Sequence, residues 1–136
     1  MKLIILAGEN HSGKTTILKA LTTALQLKGA KLSKSTHVGN SDEDEEYELY
    51  YCGHKVVICT LGDYSDNLNN HCEQYKSADM LICATRKAFR KTNYTALSYD
   101  DMSTIILINP CKAKQQKQNS NVVDYLLQVI KSRLNH

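Results

Sequence analysis

The stretch Gly8-Glu9-Asn10-His11-Ser12-Gly13-Lys14-Thr15 constrains this chain more than any other. It fits the spacing G-x-x-x-x-G-K-[ST], a glycine-bearing turn between a strand and a helix. The run before it, 2–7, is short, apolar and rich in β-formers, and reads as a buried strand. The run after it, 14–28, has helical period. Ile17, Leu21, Ala24 and Leu25 fall on one face, and Gly29 is a natural stop. A strand that turns directly into a helix gathers backbone N–H groups and the positive end of the helix dipole at one point. That combination binds anions.

The residue types suit such a site. Gly8 and Gly13 let the backbone turn tightly and approach oxygen atoms with no Cβ in the way. The N–H groups from about His11 to Thr15 make the anion nest. On these residues the chain resembles the P-loop NTPase superfamily. The resemblance implies ATP and Mg²⁺ as cofactors. It implies that Gly8, Glu9, Asn10, His11, Ser12, Gly13, Lys14, Thr15 and Thr16 cradle the phosphates. Lys14 would reach the β- and γ-phosphates, and the Thr15 hydroxyl would hold magnesium. His11 would serve through its backbone N–H rather than its ring.

Composition sets outer limits. A chain of 136 residues suits one domain, 1–136, with a real core. An apolar fraction of 42% and a charged fraction of 23% are ordinary for a globular protein. A net charge of +3 is too weak to argue for nucleic acid by itself. No apolar run approaches a membrane span, and the N-terminal apolar stretch enters the turn without signal-peptide features. The five cysteines are odd in number and mostly lie in apolar strands, which fits free thiols in a reducing cytoplasm.

Beyond the first helix, 29–40 is polar and basic, with Lys28, Lys31 and Lys34. The chain then turns acidic at Asp42, Glu43, Asp44, Glu45, Glu46 and Glu48. This reads as a solvated loop, or as a mobile flap near the phosphates or a surface for a basic partner. Residues 47–52 and 55–60, split by Gly53-His54, read as a hairpin. Its second arm is expected beside the first strand, and its first arm nearer the edge. A helix is expected over 65–76 with Leu68, Cys72 and Tyr75 inward. Buried strands follow at 79–85 and 104–108. The segment 92–103 has no clear pattern, and 111–118 reads as a basic, Gln-rich loop. A last helix from about Ser120 carries Val122, Val123, Leu126, Leu127, Ile130 and Leu134. Asn119 to Asn121 offer caps, and Lys131 and Arg133 suit its C-terminus. The order predicts a three-layer, doubly wound α/β domain of the P-loop type. Its sheet would be mostly parallel, with about five strands and one antiparallel edge strand.

P-loop enzymes usually place an aspartate at the end of a second apolar strand. Here that position is Thr60, and Asp63 is the nearest substitute, as a magnesium-side or water-orienting residue or as a plain turn residue. Asp66 is a weaker substitute. The fragment Thr60-x-Gly62-Asp63, with Ala84-Thr85-Arg86 ending the next strand, looks like that of a small group of bacterial and phage P-loop ATPases. Arg86 and Arg90, four apart, could neutralise a transferred phosphoryl group or simply be a solvated basic helix start. No guanine-reading [NT]-K-x-D motif follows Thr85 or Ile108, which favours ATP over GTP. Asn109 and Pro110 are a turn or an adenine contact.

Cys52, His54, His71 and Cys72 have zinc-binding types but not knuckle spacing, so buried thiols and surface histidines are expected. The leading expectation is ATP hydrolysis or phosphoryl transfer, with Lys14, Asp63 and Arg86 catalytic and Thr15 and Asp63 on the metal. One alternative is a nucleotide- or nucleoside-type kinase with a small-molecule acceptor. Another is a nucleotide-dependent switch without turnover, moving at 33–48. Nucleic-acid association through Lys112, Lys114 and Lys117 is the weakest. Protein partners and oligomeric state are open.

Overall fold

The computed structural model describes residues 1–9, 13–38, 44–62, 65–86, 104–108 and 115–135. Its elements run β1 (Lys2–Gly8), α1 (Lys14–Leu27), β2 (Lys31–His37), β3 (Glu45–Tyr51), β4 (His54–Cys59), α2 (Ser65–Gln74), β5 (Met80–Thr85), β6 (Thr104–Ile108) and α3 (Gln115–Leu134). The six strands form one sheet in the order β2-β3-β4-β5-β1-β6.

β1 lies parallel between β5 and β6, and β4 lies parallel to β5. β3 is antiparallel to both β2 and β4. Two expectations change here. The antiparallel strand is β3, one place in from the edge, because β2 covers it. The second hairpin arm, β4, is not beside β1: β5 lies between them. A continuous apolar run tells that a strand is buried on both faces, not which neighbour it takes.

Side-chain alternation divides the core in two. Ile4, Leu6, Val56, Ile58, Met80, Ile82 and Ala84 face the helix pair α1 and α3. Leu3, Ile5, Val57, Cys59, Leu81 and Cys83 face the opposite side, where Leu68, Cys72 and Tyr75 of the α2 region close over them. Helices thus cover both faces of a mostly parallel sheet, as a βα-rich chain requires. No described helix is long and apolar enough to cross a membrane.

α1 ends as expected at Gly29, whose φ of 102° is left-handed. Ala30 donates to Leu25 O at 2.9 Å and Gly29 to Gln26 O at 3.1 Å, a Schellman pair that closes the helix. α3 begins at Gln115 rather than near Ser120, so the Gln-rich stretch from 115 onward is helix and Asn119 to Asn121 lie inside it instead of capping it. Glutamine and lysine are good helix formers, so this stretch extends the helix without an apolar stripe. At its other end, Arg133 donates to Leu3 O at 2.9 Å, and Lys2 donates to Arg133 O, docking α3 on the start of β1.

The polar 29–40 stretch is not a loop: 31–37 is the edge strand β2. Its side chains are almost all exposed. It is held by backbone pairing to β3, by Ser33 Oγ donating to Glu48 O at 3.0 Å and by Ser35 Oγ donating to Glu45 Oε2 at 2.7 Å. The basic run and the acidic run are facing strands, with Lys34 opposite Glu48. Lysines on an exposed edge also oppose pairing with a second sheet.

The β3–β4 turn is Cys52-Gly53, one residue earlier than the sequence suggested, with φ of 52° and 81°. Positive φ at both residues marks a type I′ turn, for which asparagine is better suited than cysteine at the first position. Cys52→Asn is expected to raise stability by about 0.5–1 kcal/mol, read as a higher urea midpoint with unchanged slope.

Candidate functional site

Chain connections leave β1 toward the β4 side of the sheet and leave β5 toward β6 on the other side. The carboxyl ends of β1, β4 and β5 lie at one end of the sheet, the end at which ligands bind in open α/β sheets. Gly8 and Glu9 end β1 there. Thr85 sits opposite Ala7 in the register, which puts Arg86 beside the start of the turn. Thr60 to Gly62 leave β4 at the same end.

α1 begins at Lys14 with Gly13 as N-cap, at φ 95° and ψ 11°. That left-handed conformation is one that a Cβ would strain. No side chain caps this end, and the first turn carries no acid, so the positive pole is not offset by the helix itself. Lys14 is folded back over the turn. Its Nζ donates to Gly8 O and, at 3.1 Å, to Glu9 O. Thr15 is half-buried and Thr16 exposed. Asn10, His11, Ser12, Asp63, Arg90, Asn109, Pro110, Lys112 and Lys114 lie outside the described residues, as does the side chain of Asp66. A groove of about 600 Å³ opens between α1 and α3, lined by Thr16, Ala20, Gln116, Asn119, Val123 and Asp124 among others.

Thr60 has a structural task. Its Oγ1 accepts the Glu45 N–H at 3.0 Å and donates to Asp44 Oδ1 at 3.0 Å, while its own N–H donates to Glu45 O at 3.1 Å. It ties the end of β4 to the start of β3, and an aspartate here would meet the Asp44 carboxylate. Thr60→Val is expected to cost about 1–2 kcal/mol, because the half-buried Glu45 N–H loses its acceptor; chemical denaturation measures it.

Gly62 crosses the end of β5. A Cβ at this position would lie 2.1 Å from Ala84 O and 2.5 Å from Ala84 C. The glycine of the Thr60-x-Gly62 fragment therefore presses the loop after β4 against the strand that borders β1.

Sequence reasoning missed the polar cluster beneath that loop. Glu46, taken as part of a solvated acidic run, is 6% exposed, and His71, taken as a surface histidine, is 4% exposed. Cys59 is fully buried between them. Glu46 and Cys59 are register partners across β3–β4, and His71 reaches them from α2. His71 Nδ1 lies 3.4 Å from Glu46 Oε1, and Nε2 is 2.9 Å from Leu61 O. Tyr75 Oη donates to Glu46 Oε2. One donor atom each from Glu46, Cys59 and His71 falls within 4.8 Å of the others.

The charges follow from this geometry. The His71 hydrogen bond, aided by Tyr75, holds Glu46 below the usual carboxylate range against the opposing effect of burial. Burial works to lower His71, but hydrogen bonds to Cys59 and Glu46 overcome it and lift the imidazole to about 10. Burial works to raise Cys59, but bonds from Cys83 and His71 bring its thiol down to about 7. Burial pushes Cys72 up to about 12 and Cys83 well above the ordinary thiol value. The four described cysteines are free: Cys59, Cys72 and Cys83 are buried and Cys52 is exposed. His54 lies 3.8 Å from Asp79 on the surface side of β4.

The available signal for the cluster was alternation. Tyr47, Leu49 and Tyr51 face one side, so Glu46 and Glu48 must face the other, and the Glu46 end of that row is roofed by α2. Compared with protein-family models, characterised proteins and solved structures, the chain matched none.

Proposed function

We propose that the chain binds ATP with Mg²⁺ at the Gly8–Thr16 turn and directs it to hydrolysis or phosphoryl transfer. One observation carries this reading. Lys14 is folded over a strand-to-helix turn, on the carbonyls of Gly8 and Glu9, at the start of a helix with no acid in its first turn. A lysine whose ammonium rests on the carbonyls of the turn can exchange them for phosphate oxygens. The donor set fits an anion: an ammonium, a glycine N-cap and a half-buried threonine hydroxyl. The α1–α3 groove beside Thr16 offers room for the nucleoside part.

ATP would supply the γ-phosphoryl group, and Mg²⁺ would offset its charge. The chain's own residues would do the positioning. Lys14 would bind phosphate oxygens, Gly13 would admit the backbone to close range and Thr15 would present its hydroxyl. Arg86 stands at the adjacent strand end and would meet charge on the outer side. Asp63, next to Gly62 in sequence, is the proposed magnesium-side carboxylate. Catalysis of this kind is mainly positioning and charge neutralisation.

A second reading, a switch that binds without turnover, draws on Thr60. That residue is committed to Asp44 and Glu45, so the end of β4 offers no carboxylate of its own. ADP release from Mg²⁺-ATP, alone and with nucleosides and nucleoside monophosphates, separates the readings. Turnover alone marks an ATPase, and acceptor-dependent turnover marks a kinase. Binding without turnover favours the switch, and no binding refutes all three.

A further inference from the structure

We propose that Glu46, Cys59 and His71 form a binding site for one zinc-class divalent cation, which ties α2 and the Leu61-Gly62 segment to the β3–β4 hairpin. Among the described residues this is the one group of three such side chains close enough to share an ion. The types are those of a borderline-soft metal: a thiol, an imidazole and a carboxylate. Magnesium and calcium prefer all-oxygen sets, so this site is chemically distinct from the one proposed at Thr15.

The geometry is built for ligation. The Leu61 carbonyl can only accept, so His71 Nε2 carries a proton and Nδ1 is the atom aimed at Glu46 and Cys59. The separation of Nδ1 and Glu46 Oε1 is 3.4 Å, long for an N–H···O bond. It matches the edge of about 3.3–3.4 Å that two ligands at roughly 2.0–2.1 Å make at a tetrahedral angle. A metal would replace the proton between them and draw Cys59 Sγ inward. Outer partners are already in place: Leu61 O orients the imidazole and Tyr75 Oη holds the other carboxylate oxygen. Metal-bound histidines and carboxylates carry such partners as a rule. The fourth position falls to a water.

The test is a Co²⁺ titration of metal-free, full-length protein, followed by displacement with Zn²⁺. The expected result is one cobalt per chain with a thiolate-to-cobalt charge-transfer band, and a melting temperature about 5 °C or more higher in excess zinc. Cys52→Ser keeps the band and Cys59→Ser abolishes it. His71→Asn weakens binding roughly 100-fold or more. A folded protein that takes up no cobalt overturns the proposal, as does a band that survives Cys59→Ser. If the Cys59 variant fails to fold, the wild-type chain answers the question by alkylation and peptide mass analysis. Zinc should slow modification of Cys59 and leave Cys52 unchanged; equal rates with and without zinc overturn the site.

Discussion

Lys14→Ala should leave the fold intact and lower ATP affinity by roughly 10²–10³-fold. The magnitude follows from two charge-assisted hydrogen bonds, each contributing about 1.5–3 kcal/mol, with partial compensation by solvent and Mg²⁺. The fold is insensitive because Lys14 is only half-buried and its Nζ meets the carbonyls of Gly8 and Glu9 at the carboxyl end of β1, outside the two apolar clusters. Turnover, where the wild type shows it, should fall further than affinity, since charge on the departing oxygen between the β- and γ-phosphates grows toward the transition state. Isothermal titration with Mg²⁺-ATP, with circular dichroism as the folding control, measures the affinity. Wild-type affinity in a folded Lys14→Ala protein would remove the anion-site reading. A parallel Arg86→Ala variant should bind normally and turn over more slowly, because Arg86 flanks the turn without belonging to it.

Gly62→Ala should be the most destabilising single methyl in the described chain, by about 3–5 kcal/mol. The added Cβ would sit 2.1 Å from a backbone oxygen near the end of β5, not against the tip of a flexible side chain. Ala84 yields little, because it is paired with Leu6 of β1 and the residue before it, Cys83, is paired with both β4 and β1. The loop must lift instead, and it carries the Leu61 carbonyl that orients His71. For a chain of this size the loss corresponds to a melting temperature lower by about 10 °C or more. A thermal scan decides it: a shift of only a degree or two would mean that the loop does not pack on β5. The same variant should weaken metal binding at the Glu46–Cys59–His71 cluster, since its imidazole loses a fixed orientation.

Much of the architecture could be read from local pattern. β1, β4, β5 and β6 are short runs dominated by apolar residues, and such runs have few other solutions. α2 declared its inward face through Leu68, Cys72 and Tyr75, all buried here. α3 did so through Val123, Leu126, Ile130 and Leu134. β2 escaped notice for the opposite reason. It buries almost nothing, so neither period nor hydrophobicity marks it, and it exists because β3 offers an unpaired backbone edge. The start of α3 was misplaced because its first turn is polar all round and has no stripe to announce it.

The proposed site divides along the same line. The sequence by itself marked the strand and the helix that flank the Gly8–Thr16 stretch, because strand, glycine, lysine and helix are neighbours along the chain. It also determined that Thr60 is not an aspartate. Only the tertiary structure decided that β5 separates β4 from β1 and that Gly62 must be glycine. Only it brought Glu46, Cys59 and His71 from two strands and a helix into one buried cluster. Those facts depend on which strands pair and which faces meet, and pairing is set by the balance of burial over the whole sheet. A carboxylate in an acidic run looks solvated in one dimension; it is buried here because the helix that covers it begins some twenty residues later.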